Sequence, residues 1–150
     1  MTNYIIGLGS SLPNGKYYIK KTFTLFKNSH YIKIYAKSKI YKNIGINCKK
    51  YMIFYNSAAS ISTNLVANSL WFKLYAIEKK LGRLRPYKNS PRTIDLDILW
   101  TNNKHIKTKN IEIPHPNFFN RNFSLKIAIE CTNKCIWKVK YNCFKYKSII

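Results

Sequence analysis

Acidic side chains are scarce in this sequence of 150 residues. Aspartate and glutamate together number 5, against 27 lysines and arginines, and the formal net charge at pH 7 is +22. With so few carboxylates, the position of each one is informative. Two of them, Asp95 and Asp97, stand one residue apart inside the apolar run "TIDLDILW".

Long hydrophobic runs are also lacking, since no segment approaches the roughly 20 apolar residues that a membrane-spanning helix needs. The start, "MTNYIIGLGSS", has neither the basic nor the apolar region of a secretion signal, so we expect a cytoplasmic protein with reduced cysteines. Cys131 and Cys135 have no second Cys or His pair at ligand spacing. A structural zinc site is therefore disfavoured, and the four cysteines are interpreted as structural thiols.

Dense lysine blocks and arginine-rich stripes are absent as well. The lysines are scattered along the whole chain, which is typical of a solvated basic surface and predicts no specific nucleic-acid partner, only weak and salt-sensitive affinity for polyanions. No internal repeat or linker interrupts the sequence, and its length suits one domain over residues 1–150.

Hydrophobic periodicity predicts helices over 16–28, 64–81 and 123–131, and strands over 4–8, 31–42, 51–60 and 93–100. Segments 106–108 and 111–113 are expected to pair as a small hairpin. "GLGSSLPNG" is interpreted as a turn, Ser62 or Thr63 as the start of the long helix and Gly82 as its end. The order β-α-β-β-α-β favours an α+β sandwich of ferredoxin-like type, with helices on one face of a mainly antiparallel sheet.

The Asp95–Asp97 pair is the strongest chemical signal. Side chains alternate along a strand, so both carboxylates point to one face while Ile94, Leu96 and Ile98 point to the other. Two exposed acids neutralised by lysines remain an alternative, but two like charges this close favour a cation between them. Mg²⁺ is commonly held by one or two carboxylates together with substrate phosphates, which points to a nucleoside triphosphate.

Arginine is restricted to one region, because all of it falls between residues 83 and 121 while the other basic residues are lysines. A guanidinium group binds phosphate through two parallel hydrogen bonds, which an ammonium group cannot do. The same third of the chain therefore combines a candidate metal clamp with phosphate-binding groups, the parts that phosphoryl-type transfer uses.

The runs "GRLRPYKNSPRTIDLDILW" and "IPHPNFFNRNFSL" closely resemble the 6-hydroxymethyl-7,8-dihydropterin pyrophosphokinase family of the folate pathway. The resemblance extends from "YIIGLGSSL" through "YNSAAS" to about Glu130. It implies a ferredoxin-like fold and a monomer that transfers pyrophosphate from ATP to the 6-hydroxymethyl group of the pterin, releasing AMP. It also implies two Mg²⁺ ions, held by Asp95 and Asp97 and bridging the triphosphate of ATP, the co-substrate.

On the phosphate side, the resemblance implies that Arg83 and Arg92 offset charge that develops on the phosphoryl oxygens. Arg85 is expected to be a looser partner on a mobile loop. His115 is expected to donate a hydrogen bond to a phosphate, and Arg121 to lie near the reacting groups.

On the substrate side, the resemblance implies that the pterin ring stacks between Phe54 and Phe123 while Asn56 binds its polar edge. Stacking between two aromatic faces fixes the plane of a flat heterocycle. Glu78 matches a carboxylate of the family near the site. Ile98 is expected to pack on the adenine.

The sequence also departs from the pattern of the family. Asn89 and Ser90 stand where Trp-Gly is common, Ser11 stands where Asn is usual, Pro116 replaces an aromatic or polar neighbour of His115, and "KNIGIN" lacks a proline. These changes put the closing of the loops in question rather than the metal ligands. A decayed relative that binds nucleotide or nucleic acid without turnover is the alternative function.

Overall fold

The computed structural model describes residues 1–44, 53–84, 90–102 and 105–133. Its elements are β1 (Thr2–Ser10), α1 (Gly15–Lys27), β2 (Lys33–Lys37), β3 (Tyr41–Ile44), β4 (Ile53–Thr63), α2 (Ala67–Lys80), β5 (Asp95–Thr101), β6 (Ile106–Lys107), β7 (Glu112–Ile113) and α3 (Asn122–Asn133). The predicted helices, strands and hairpin are confirmed with shifted ends. Within these ranges no helix has the length and apolar character to cross a bilayer. A single domain over residues 1–150 stays a prediction.

The main sheet is antiparallel and has five strands in the order β2-β4-β1-β5, with β3 also paired to β4. The predicted strand over 31–42 is divided, because β2 pairs with the end of β4 and β3 with its beginning. Ser38 lies at the division. Its hydroxyl oxygen accepts the Ala58 N–H at 2.9 Å, so a side chain takes the place of a backbone acceptor on the neighbouring strand.

Helices cover both faces of the sheet. Tyr4, Ile6 and Leu8 of β1 belong to the hydrophobic core that α1 and α2 share. Ile5 points the other way and packs with the apolar side of α3. The α+β class with a mainly antiparallel sheet is confirmed, but the expectation of helices on one face is wrong for α3. Because Ile5 alternates with core residues, it is the residue of β1 that gives α3 an apolar surface to cover.

A β-bulge in β5 orients the strand that carries the aspartates. Ile6 of β1 pairs with Ile98 and Ile5 pairs with Trp100, so Leu99 is the extra residue. Leu99 and Trp100 therefore both pack on the α3 side. Before the bulge the alternation is regular, and Leu96 and Ile98 lie in the α1–α2 core. The aspartates at 95 and 97 consequently face the α3 side.

The sequence predicted the C-terminal end of α2 correctly but not its N-terminal cap. Val66 is the N-cap and makes no side-chain cap bond. The prediction of Ser62 or Thr63 as the cap is wrong because both residues belong to β4. At the other end Gly82 has φ of 77°, and the Arg83 N–H donates to the Glu78 carbonyl at 3.0 Å. The predicted glycine end is confirmed.

Gly82→Ala is expected to lower the free energy of unfolding by about 1–2 kcal/mol, the usual penalty for a left-handed residue that carries a Cβ. The cost is conformational, because a Cβ at this position would meet no atom within 4 Å. Urea denaturation measures it. Gly82→Asn is the matched control, since asparagine tolerates the left-handed region, and it should lose less. Equal losses in the two variants would contradict this explanation.

Candidate active site

A trough runs along the α3 face of the sheet, and Gly9 of β1 forms its floor. Gly9 pairs with Asn56 of β4 on one side and with Asp95 of β5 on the other, and Gly7 pairs with Asp97. A Cβ on Gly9 would lie 3.3 Å from Asn56 Oδ1 and 3.8 Å from Asp95 Cβ. The missing side chain of Gly9 therefore leaves room between Asn56 and Asp95. Above Gly7 the Leu99 side chain fills the space, since a Cβ there would lie 3.0 Å from Leu99 Cδ1. The turn predicted at "GLGSS" is wrong up to Ser10, since β1 continues through both glycines.

A network of charges holds Asp95 at the edge of the trough. Arg83 Nη2 lies 2.6 Å from Asp95 Oδ1, and Arg92 Nη1 lies 2.5 Å from Asp95 Oδ2. Arg83 also forms a salt bridge with Glu78, and both of these residues are buried. The family-based position of Glu78 beside the site agrees with this geometry.

Glu78 is oriented by the strand as well as by the arginine. Its Oε1 accepts the Leu96 N–H at 2.6 Å. Burial raises the pKa of Glu78, while the Leu96 N–H and the Arg83 guanidinium act in the opposite direction. A buried charge is tolerated only when it is paired and hydrogen-bonded, and Glu78 has both kinds of partner.

Asp97 is in a different electrostatic state from Asp95. Among the described residues, no ion pair or hydrogen bond reaches its carboxylate. Burial raises the pKa of Asp97, and the neighbouring charge of Asp95 raises it further, against weaker opposing effects of His115, Arg83 and Arg92. A carboxylate that is desolvated and beside a like charge gains most from a cation. The pair therefore has donor chemistry that fits Mg²⁺.

The residues expected to bind the pterin lie on the same side of the sheet. Phe54 and Asn56 alternate with Ala58, which packs against α3, so all of them face that way. Phe123 of α3 meets the ring of Tyr41 edge-on, with ring centres 5.9 Å apart, and Tyr41 pairs with Asn56. No sequence motif marks Tyr41 as a site residue, because only the pairing of β3 with β4 brings it to the trough.

Glu130 connects α3 to the strands beside this aromatic cluster. Its Oε1 accepts the Lys39 N–H at 3.1 Å, and its Oε2 accepts the Tyr41 hydroxyl at 2.8 Å. The hydrogen bond to Glu130 is the main reason why the pKa of Tyr41 is raised. These bonds fix the position of α3, and with it Phe123, relative to the sheet edge.

Asp97 also borders a cavity of about 320 Å³. Of the predicted residues, Asp97, Ile98 and His115 line it. Its other lining residues come from α2, β5, the β6–β7 hairpin and the segment after it, and they are Trp71, Leu96, Thr108, Lys109, Asn110, Ile111, Glu112 and Pro116. The sequence predicted the hairpin but gave no signal that it closes over β5.

His115 presents a defined hydrogen-bond donor. Its Nδ1 accepts the Asn117 N–H at 3.2 Å, which leaves Nε2 as the nitrogen that carries the proton. Its own backbone N–H donates to the Leu99 carbonyl at 3.0 Å. This hydrogen bond holds the histidine beside the bulge of β5. Nε2–H is thus available to an acceptor such as a phosphate oxygen.

Other predicted residues are less closely associated with the site. Arg121 lies exposed directly before α3, and no ion pair is formed by its guanidinium within the described ranges. Arg85, Asn89 and the second half of "KNIGIN" lie outside the described residues. Ser11, one of the departures, has a clear structural role, because its hydroxyl accepts the Arg92 N–H at 2.9 Å.

Comparison with known families shows which family the chain belongs to. Residues 5–133 match the family described as 7,8-dihydro-6-hydroxymethylpterin-pyrophosphokinase. The chain belongs to this pyrophosphokinase family. The resemblance inferred from the sequence motifs is confirmed, and the matched segment reaches from within β1 to the end of α3.

Individual relatives of the pyrophosphokinase family have similar identities. The 2-amino-4-hydroxy-6-hydroxymethyldihydropteridine pyrophosphokinase of Helicobacter pylori is 33% identical over 119 residues, or 78% of this chain and 73% of the relative. The enzyme of that name from Bacillus subtilis is 32% identical over 120 residues, or 80% of this chain and 72% of the relative. The folic acid synthesis protein fol1 of Pneumocystis carinii is 33% identical over 134 residues, which are 89% of this chain but only 18% of that protein.

Proposed function

We propose that the trough and the cavity together bind the two substrates of a pyrophosphate transfer from ATP to the 6-hydroxymethyl group of 6-hydroxymethyl-7,8-dihydropterin, with release of AMP. Pyrophosphate transfer in folate biosynthesis follows from the family. The assignment to these residues is supported by one observation above all. Asp97, a carboxylate without an ion-pair partner among the described residues, lines the cavity and pairs with Gly7 of β1, two residues from Gly9 in the trough.

Mg²⁺ fits the aspartate pair, and we propose two ions held by Asp95 and Asp97. A desolvated carboxylate beside a second one supplies the hard oxygen ligands that this ion prefers. When bound, the ions would neutralise negative charge on the phosphate oxygens. The substrate hydroxyl itself attacks phosphorus, so no nucleophile from the protein is required.

The phosphate-binding groups of the chain are held in place before the substrates arrive. Arg83 is oriented by its salt bridge with Glu78, and Glu78 is oriented by the hydrogen bond from the Leu96 N–H. Arg92 is half-buried and reaches the other oxygen of Asp95. Preorganised guanidinium groups stabilise charge on transferring phosphoryl oxygens without a further cost of orientation. Glu78 is therefore proposed as a positioning residue.

On the nucleotide side, we assign the Nε2–H of His115 to a phosphate oxygen and Ile98 to the adenine. Both residues line the cavity that Asp97 borders. Arg85 and Arg121 are proposed as further phosphate partners because of their motif positions. On the other side, Phe54 and Phe123 would stack on the pterin, and the Asn56 amide would bind its polar edge.

Several broader proposals accompany the assignment. A single domain over residues 1–150, a monomer and a cytoplasmic location are proposed, with small-molecule substrates as the partners. Cys131 is a buried thiol that donates to the Ala58 carbonyl at 3.1 Å, and we propose a structural role for it. The remaining cysteines lie outside the described residues.

Gly9→Ala is expected to raise KM for the pterin by about tenfold while KM for ATP changes little. The added methyl would meet Asn56 Oδ1 at 3.3 Å and so push the amide that is proposed to bind the pterin edge. Steady-state kinetics with each substrate varied in turn measures this separation. Equal changes in the two KM values would place the pterin elsewhere.

The function is tested by mixing the full chain with ATP, Mg²⁺ and 6-hydroxymethyl-7,8-dihydropterin and following AMP by chromatography. AMP that forms only when the pterin is present supports the proposal. Calorimetric titration with a non-hydrolysable ATP analogue, followed by the pterin, separates a working site from a decayed one. Binding of the analogue without pterin-dependent AMP formation would favour the decayed relative.

A further inference from the structure

A surface of aromatic rings and lysines covers the outer side of α2 and the turn after α1. Phe72 is 57% exposed, and Tyr75 and Tyr31 are each 39% exposed. Lys73 Nζ lies 5.1 Å from the centre of the Tyr31 ring, and Lys79 Nζ lies 5.4 Å from that of Tyr75. We call these five residues the α2 patch. None of them lines the cavity or belongs to the trough.

The α2 patch carries positive charge that no nearby carboxylate neutralises. All five acidic residues of the chain are described and lie elsewhere: Glu78 is buried, Asp95 and Asp97 lie at the trough, Glu112 on the hairpin and Glu130 on α3. Helix α1 contains no acidic residue. The outer surface of the α1–α2 layer therefore presents lysine charge alone.

Similar pairs of an aromatic ring and a lysine continue beyond the α2 patch. Lys21 Nζ lies 5.4 Å from the Tyr17 ring centre on α1, and Lys33 Nζ lies 5.4 Å from the Tyr35 ring centre on β2. All of these tyrosines are exposed. Scattered lysines alone are expected of any solvated basic surface. Contacts with Trp71 orient the rings of Tyr75 and Phe72, but a solvated basic surface does not account for the ring area that stays exposed.

We propose that the α2 patch binds single-stranded nucleic acid independently of its sequence. Exposed aromatic rings stack on unpaired bases, and interleaved lysines bind the phosphates, which is the combination that single-strand binding surfaces use. Charge complementarity selects a polyanion as the occupant. The rings select one with open base faces, because a duplex keeps its bases stacked inside.

This proposal goes beyond the weak polyanion affinity that the lysine content predicted. Lysine positions along the chain are scattered, and only the packing of α2 against the turn after α1 brings Lys73 over Tyr31. The proposal is independent of the proposed catalysis, since it uses none of the residues assigned to ATP or to the pterin.

The test measures fluorescence anisotropy of a labelled single strand of about 15 nucleotides, and of its duplex, with the full chain. Tyr31→Ser/Phe72→Ser keeps every charge and is expected to weaken single-strand binding by about tenfold or more. Lys73→Gln/Lys79→Gln is compared with Lys107→Gln/Lys126→Gln, which removes as many lysines from the hairpin and α3. The first lysine pair should weaken binding several-fold more than the second.

Circular dichroism and pterin-dependent AMP formation show that each variant remains folded, and Phe72→Ser alone serves as a milder variant. The proposal is overturned if the aromatic variant binds like the unchanged protein, or if both lysine pairs weaken binding equally, because diffuse charge then explains the affinity. Preferential binding to anionic lipid vesicles would overturn it in favour of a membrane surface. Self-association that the aromatic variant abolishes would overturn it in favour of a second copy of the chain.

Discussion

Asp97→Asn is expected to reduce pterin-dependent AMP formation by at least about 100-fold, the usual effect of removing one preorganised electrostatic group from a site of this kind. The substitution keeps the shape of the side chain and removes its charge. Because its carboxylate has no ion-pair partner in the described part of the chain, the charge is free for a metal ion. Initial rates at saturating ATP, Mg²⁺ and pterin measure the loss.

Glu130→Gln is the matched control for this substitution. It also removes one of the few negative charges, but the bonds of Glu130 go to Lys39 and Tyr41 rather than to the Asp95–Asp97 pair. Glutamine can keep both hydrogen bonds that fix α3, because its oxygen can accept the Lys39 N–H and its amide can donate to the Tyr41 hydroxyl oxygen. The activity of the control should therefore stay within a few-fold of that of the unchanged protein. A rate for Asp97→Asn within a few-fold of the control would exclude Asp97 from the reaction.

The same Asp97→Asn variant is expected to be more stable than the unchanged protein at pH 8 in the presence of a chelator. Burial and Asp95 raise the pKa of Asp97, so the folded state keeps this proton to a higher pH than the unfolded state, whose value is about 3.9. The stability that Asp97 contributes is therefore present below about pH 3.9 and is lost as the pH rises through the folded pKa. The difference between the melting temperatures of the two proteins should shrink as the pH falls from 8 toward the unfolded value of about 3.9.

Arg83→Met is expected to lower the free energy of unfolding by about 3–5 kcal/mol, because it leaves the Glu78 carboxylate buried without its partner. Methionine fills much of the space and carries no charge. Urea denaturation measures the change. Activity should also fall, since Arg83 is the buried one of the two arginines in the described ranges that reach Asp95.

Two further variants separate pairing from packing. Arg92→Met removes an arginine that is partly exposed and whose ion pair, among the residues that the structure describes, is with Asp95. It should cost less than about 1 kcal/mol of stability. Adding Glu78→Gln to Arg83→Met removes the unpaired charge and should restore part of the loss. Equal destabilisation by Arg83→Met and Arg92→Met would show that the buried Arg83–Glu78 ion pair contributes no more to stability than the partly exposed Arg92–Asp95 pair.

The features that the sequence predicted correctly depend on local rules. Alternation along β5 placed Asp95 and Asp97 on one face, and the glycine at 82 ended α2 in the left-handed conformation. Both outcomes need only a few neighbouring residues. The motifs around the aspartates also predicted the family, which the match over residues 5–133 confirmed.

The features that the sequence did not predict depend on contacts between distant segments. Gly7 and Gly9 resemble turn residues until β4 and β5 pair on either side of them. Ser38 divides an alternating strand because of an N–H from residue 58. Trp71 and the hairpin reach the cavity through packing against β5, for which the sequence contains no periodic signal.

The division of the outer strand at Ser38 has a consequence for behaviour at high concentration. An uninterrupted border would offer a long row of unpaired amide and carbonyl groups to the sheet of a neighbouring molecule. Among the described strands, β2 and β3 instead form a border in two short pieces that carries Lys33, Lys37 and Lys42. This border therefore disfavours aggregation through strand pairing between molecules, in a chain that is rich in tyrosine and isoleucine.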